Sequence, residues 1–388
     1  MMTTKELDKQ YVANTYNRFP VEIVSGKGAT LKDENGKEYV DMGAGIAVNT
    51  FGMADEGWVA AVTAQLGKFQ HTSNLYYTEP CARLAEMLCT RTGMKKVFFG
   101  NSGAEANECA IKAAREYGIT KKGGEYYNII TLKNSFHGRT LATLAATGQD
   151  VFHEHFCPMP EGFLYVAAND CAELEKTVEE NKVCAIMFEL VQGEGGVNAL
   201  DAAFVAKIAE LCEKHDLLMV DDEVQCGNGR TGELYAYMHF GITPDIVTTA
   251  KGLGAGLPIG AVMFGEKAVD IYKPGLHGST FGGNPVCAAG ACHVLSRLTD
   301  ELMADVSAKS KYIKDALAGA SGIKSVSGMG LMLGVETEKK AGDVVAAAME
   351  KGVLLLTAKT KVRLLPPLNI SYAELDKAIK VIKEVCEI

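Results

Sequence analysis

Asp245-Ile246-Val247-Thr248-Thr249-Ala250-Lys251-Gly252-Leu253-Gly254-Ala255-Gly256-Leu257-Pro258-Ile259-Gly260 is the stretch on which the rest of the chain depends. Its apolar opening reads as a buried strand. A lysine stands at the strand's end, followed by three alternating glycines. Burial lowers an ammonium's pKa and makes the amine a nucleophile, which is what a Schiff-base lysine requires. A single lysine after a strand more commonly snorkels out of a loop. The neighbouring motifs decide between the two readings.

Through the middle of the chain, up to this stretch, short apolar strands alternate with amphipathic helices. Lys96–Phe99 precedes a helix over Ala104–Tyr117, and Tyr127–Leu132 follows it. Val183–Phe188 precedes a helix over Ala202–His215, then come Leu217–Val220 and Asp245–Thr249. This pattern predicts an α/β fold, a mainly parallel sheet covered by helices on both faces. Ligands of such sheets bind outside the carboxyl ends of the strands. The chain ends differ. Ala29–Asp33 and Glu38–Asp41 flank the turn Glu34-Asn35-Gly36-Lys37 as a hairpin, and the region after Pro285 reads as one long helical stretch over 286–319, β-rich segments and a final helix over 372–386. Residues 1–45 and 286–388 are therefore expected to form a smaller α+β domain beside a large domain over 46–285.

The chain has 388 residues, 47% hydrophobic and 22% charged, which is globular composition with length for a large core. A net charge of −9 without basic runs argues against a nucleic-acid partner. No stretch approaches a membrane span and the start lacks a signal-peptide core, so a cytoplasmic protein is expected. Eleven cysteines lie scattered without Cys-x-x-Cys spacing, which suits free thiols in a reducing compartment.

Several motifs fall at strand ends. Gly100-Asn101-Ser102-Gly103-Ala104-Glu105 opens a helix. It suits either a phosphate held at Gly103 and Ala104 or a plain Ser-capped start. Ser135-Phe136-His137-Gly138-Arg139-Thr140 offers an aromatic plane, a hydrogen-bonding group and a guanidinium suited to a carboxylate. Asp221-Asp222-Glu223-Val224-Gln225 places carboxylates after Leu217–Val220. Without histidines nearby, no metal is expected there. Gly227-Asn228-Gly229-Arg230-Thr231-Gly232 matches a dinucleotide pattern only by accident, since it lacks an adjoining strand and a suitable downstream acid. An amine, a phosphate cradle, a ring, a carboxylate and an arginine on one sheet edge form the set that pyridoxal phosphate needs.

Over nearly its full length the chain resembles class III pyridoxal-phosphate aminotransferases of fold type I, closest to their acetylornithine branch. The resemblance rests on Gly45–Asn49, His71–Tyr77, Ser102–Glu108, Phe136–Thr140, Asp222–Gln225, Gly229–Gly232, Lys251–Gly260 and Gly278–Pro285. It implies that Lys251 is the Schiff-base lysine and proton-moving base, and that Asp222 partners the ring nitrogen. Glu223, Val224 and Gln225 would line the cofactor site, with Gln225 near the ring hydroxyl. Gly103 and Ala104 would bind the phosphate, and Phe136 would stack on the ring. Thr280 would be a phosphate ligand donated by a second subunit, which implies a homodimer with shared active sites.

The same resemblance gives Arg139 and Ser279 substrate contacts, makes Arg363 a second substrate arginine, and pairs Glu194 with Arg363 when no substrate carboxylate is present. Tyr16 would be either a substrate contact or a structural tyrosine. The expected reaction moves the terminal amine of N2-acetylornithine to 2-oxoglutarate. Succinylornithine, ornithine, 4-aminobutyrate or N-succinyl-diaminopimelate as donor, or an aminomutase reaction, remain alternatives. Phe51-Gly52-Met53-Ala54-Asp55-Glu56 departs from the family's Gly-His-x-His-Pro stretch, which puts packing or loop geometry in question. Asp221 adds a negative charge to which the resemblance gives no role.

Overall fold

The structure, a computed structural model, describes residues 2–388. Its centre is a seven-stranded sheet in the order 96–100, 260–264, 246–249, 218–222, 183–188, 128–132, 163–166. All neighbours are parallel except Gly260–Phe264, which runs antiparallel to the strands on both sides. Strands 183–188, 246–249 and 260–264 are buried throughout, as a sheet covered on both faces requires. Alternation sorts the side chains. Leu218 and Val220 join Ala106, Ala110 and Ile111 of the helix Gly103–Tyr117 on one face, while Met219 and Val247 join Phe204 and Ile208 of the helix Ala202–Lys214 on the other.

The chain ends meet. Glu38–Asp41 pairs antiparallel with Thr30–Asp33 and parallel with Val353–Leu354, so N- and C-terminal segments share one sheet. A second four-stranded sheet, in the order 323–329, 332–337, 361–364, 356–358, carries Arg363. The stretch expected to be one helix over 286–319 is instead two, Pro285–Arg297 and Asp300–Leu317. Thr299 between them is extended and caps the second through its Oγ1, while Asp300 and Glu301 suit its positive end.

At the departure noted at 51–56, Gly28 and Met53 exchange backbone hydrogen bonds of 2.9 and 2.8 Å. Asp55 caps the helix Glu56–Leu66 and pairs with Arg297 at 2.5 Å. An acid thus fixes this loop. No helix among the described residues is long and apolar enough to cross a membrane.

Candidate functional site

The carboxyl ends of the parallel strands open into a cavity of about 410 Å³, lined from several chain segments that include Ser102–Ala104, Asn107, Phe136–Arg139, Glu189, Asp222, Gln225 and Lys251. Lys251 enters it from a turn that reverses the chain between Ile246–Thr249 and Gly260–Phe264. Its φ of +43° lies in the left-handed region, a strain of about 1–3 kcal/mol for a residue with a Cβ. The surroundings hold it there. Asn228 Nδ2 donates to Thr249 Oγ1 at 2.9 Å and Ala250 O at 3.3 Å, Thr50 Oγ1 to Gly252 O at 2.7 Å, and Trp58 Nε1 to Gly254 O at 3.2 Å. Gly260 closes the turn against the next motif, since a Cβ there would stand 2.2 Å from Ser102 O.

Burial lowers the Lys251 pKa. The charges of Glu194 and Asp222 oppose this, and Arg363 adds to it. The side chain makes no hydrogen bond or ion pair among the described residues, and its amine faces the cavity without a fixed partner.

Ser102 caps the helix Gly103–Tyr117. Its Oγ accepts from Glu105 N at 3.1 Å and its carbonyl from Ala106 N at 3.0 Å. The N–H groups of Gly103 and Ala104 precede the first intrahelical bond and border the cavity. A Cβ on Gly103 would meet Val224 Cγ1 at 2.6 Å, so only glycine keeps this approach open. The cap and the anion cradle are thus compatible, because they use different N–H groups.

Asp222 ends its strand 3% exposed. Its Oδ2 accepts from Asn107 Nδ2 and His137 Nδ1, both at 2.7 Å, and its Oδ1 from Val224 N at 3.1 Å and Thr248 Oγ1 at 3.3 Å. Four donors from four segments fix the carboxylate's orientation. Burial alone would lower the His137 pKa, but the hydrogen bond to Asp222, that charge and Glu189 raise it overall. Asn107 also donates to His137 O at 2.8 Å, which locks the three side chains together.

Glu189 went unread in the sequence, although it follows Val183–Phe188 as Asp222 ends its own strand. It lines the cavity, accepts from Phe136 N at 2.8 Å, and is pushed up to about 7, chiefly by burial. Asn107 and Thr248 also escaped notice, because a lone amide in a helix and a hydroxyl in a strand carry no signal of their own.

The other anticipated residues divide. Arg139 borders the cavity without an acidic partner among the described residues. Arg363, 3% exposed, donates to Glu194 Oε1 at 2.5 Å and Gln225 Oε1 at 3.1 Å. Burial alone would raise the Glu194 pKa, but the Arg363 charge and hydrogen bond bring it below the usual carboxylate range. Ser279 Oγ accepts from Asn101 Nδ2 at 3.1 Å, beside the helix start. Ser279, Glu194 and Arg363 stand behind the lining, joined to it through Asn101 and Gln225, and three further residues lie apart from the cavity of their own chain. Thr280 and Tyr16 are exposed outside it. Glu223 points to the opposite face of the strand from Asp222, where its carboxyl accepts from Tyr237 N at 2.9 Å. Strand alternation sends Asp221 to that face as well, buried with neither carboxyl oxygen partnered.

The arrangement combines an amine whose charged form burial disfavours, a fixed carboxylate and an anion cradle in one cavity. A phosphorylated aldehyde carrying a basic ring nitrogen fits that donor set.

Comparison with known proteins agrees. The model of the family "Aminotransferase class-III" matches residues 11–386. An acetylornithine aminotransferase of Haemophilus ducreyi is 49% identical over 383 residues, with 98% of each chain covered. The N-acetylornithine aminotransferase structure from Stenotrophomonas maltophilia superposes with a TM-score of 0.85 at 37% identity, covering 98% of this chain and 97% of that one. An ornithine aminotransferase structure from Toxoplasma gondii, with PLP at partial occupancy in its active site, gives 0.93 at 33% identity over 99% and 94%.

Proposed function

The chain belongs to the class III aminotransferases, which depend on pyridoxal phosphate, and from that premise we propose that it moves the terminal amine of N2-acetyl-L-ornithine to 2-oxoglutarate in arginine biosynthesis. The observation that carries this reading is the contrast between two arginines: Arg139 stands open, whereas Arg363 is closed by Glu194. One donor carboxylate that is always present suits Arg139. The second carboxylate of glutamate or 2-oxoglutarate suits an arginine that is exposed only when needed.

Bound pyridoxal phosphate supplies an aldehyde that takes up the amino group and a protonated ring that withdraws electrons from the neighbouring carbon. Gly103 and Ala104 would hold its phosphate on their N–H groups, with Thr280 of a second subunit completing the site. Phe136 would stack on the ring, and Val224 and Gln225 would flank it. Asp222 would hold a proton at the ring nitrogen, and Asn107, His137 and Thr248 fix the orientation of its carboxylate. Lys251 Nζ would hold the cofactor at rest and would be freed when the substrate amine takes its place. Its disfavoured ammonium form suits it to take the proton from the substrate carbon that bears the nitrogen. Ser279 and Arg139 orient the donor. Glu194 leaves Arg363 when the acceptor's second carboxylate arrives. Tyr16 and Glu223 have no support for a site role within a single chain.

We also propose that the protein is a homodimer. Leu75, Tyr76 and Tyr77 are 86%, 71% and 106% exposed, and Phe281 beside Thr280 is 58% exposed, a surface that a second copy would cover. Division near residues 45 and 285 fits the same reading, because the residues lining the cavity fall between Val48 and Ile259.

Similarity to an ornithine aminotransferase favours ornithine as a second reading for the donor. Single-turnover measurements test both. With acceptor omitted, the absorbance change of the bound cofactor should be fastest with N2-acetylornithine, ahead of succinylornithine, ornithine and N-succinyl-diaminopimelate. A fastest reaction with ornithine would replace the proposed donor.

A further inference from the structure

We propose that Phe152, outside the cavity, is a positioning residue that aims Arg139 at the donor's carboxylate; this rests on the functional reading above. The Arg139 guanidinium carbon lies 4.2 Å from the Phe152 ring centroid and 5.4 Å from that of Phe136. The two rings meet edge to face at 5.9 Å and 77°. An exposed arginine with no acidic partner would otherwise sample many rotamers, so these two aromatic faces set its direction.

The segment that carries Phe152 is tied to the segment that carries Phe136. Gly148 N donates to Ser135 Oγ at 3.0 Å, Gln149 Nε2 to Ser135 O at 2.9 Å, and Asn134 N to Gly148 O at 2.7 Å. Phe152 then ends the single turn Asp150–Phe152. The two rings are therefore fixed to one frame at the end of the strand Asn128–Leu132.

The choice of partner has a chemical consequence. An acid beside Arg139 would occupy its N–H donors and compete with the incoming carboxylate, as Glu194 does at Arg363. An aromatic face attracts the cation while leaving the N–H edge free for a bidentate contact. Phe152 thereby makes Arg139 a permanently open site, the counterpart of the closed Arg363. It bears on selectivity for donors that carry a carboxylate remote from the reacting amine.

The test uses the cofactor-loaded enzyme and two donors, N2-acetylornithine and N-acetylputrescine, which is the same molecule without its carboxylate. Phe152→Leu should lower kcat/KM for N2-acetylornithine about tenfold, mainly through KM, the loss expected from one cation–aromatic contact. It should change N-acetylputrescine less than about twofold, and Phe152→Tyr should retain wild-type selectivity. N-acetyl-L-norvaline, which keeps the carboxylate but lacks the amine, should bind about tenfold more weakly to Phe152→Leu when followed by cofactor absorbance. Phe152→Met replaces the leucine variant if that variant melts at lower temperature. Equal loss with both donors, or unchanged selectivity, overturns the clamp. Wild-type inactivity with N2-acetylornithine would overturn the functional reading instead, and the N-acetyl-L-norvaline affinities would still decide the role of Phe152.

Discussion

Asp221 and Asp222 are adjacent in sequence and opposite in consequence. Strand alternation turns Asp222 toward Asn107 and His137, and turns Asp221 toward Glu223 on the other face. Burial pushes Glu223 up to about 8, and burial together with the Glu223 charge raises Asp221 well above the usual range. The folded protein therefore keeps protons on this pair that the unfolded chain releases above about pH 4. Unfolding free energy contributed by the pair then falls as pH rises from about 4 toward about 8. Asp221→Asn removes one of the two raised carboxyls and should flatten this loss. Thermal melts from about pH 5 to about pH 8 should show the wild type losing ground to Asp221→Asn by up to about 1.4 kcal/mol per pH unit. Parallel curves would contradict a raised Asp221 pKa. A second prediction concerns Glu194. Glu194→Gln should weaken closure of Arg363 and slow the N2-acetylornithine half-reaction more than the 2-oxoglutarate half-reaction, and equal effects on both would remove the gate.

Among the elements, the helix start at Gly103 and the turn at Lys251 interlock through Gly260, and both were legible because each lies in one contiguous motif after a strand. Glu189 was less legible. A single carboxylate after an apolar run has no sequence signature, and its contact with Phe136 N exists only after two strands align. The break at Thr299 was missed because apolar spacing continues across it, while one capping hydroxyl ends the helical register. Glu223 follows Asp222 directly, yet strand alternation turns its carboxyl to the other face, where it accepts from Tyr237 N. Gly103→Ala tests the helix start. Alanine favours helix by about 1 kcal/mol over glycine, so the fold should survive, but its Cβ would press on Val224, whose N–H is held by Asp222. Cofactor affinity, titrated by absorbance, should fall at least about tenfold, and unchanged affinity would show that the approach at Gly103 is not needed.

At the scale of the molecule, the α/β class followed from alternating elements. The reversed strand Gly260–Phe264 did not, since apolar runs carry no direction. Shared use of one sheet by both chain ends also depends on pairing across the full length, as between Val40 and Val353. The exposed Thr280 makes the homodimer testable by complementation. Mixed dimers of inactive Lys251→Ala with Thr280→Ala should regain one intact site in which both wild-type residues meet, and failure to exceed the separate activities would count against shared sites. The central claim is that Lys251 holds the cofactor through its amine. Borohydride reduction of the loaded enzyme followed by peptide mass spectrometry tests it most directly. The pyridoxyl mass should appear on the peptide containing Lys251 and be absent in Lys251→Ala. A label on another lysine, or none on a protein that binds the cofactor, would contradict it.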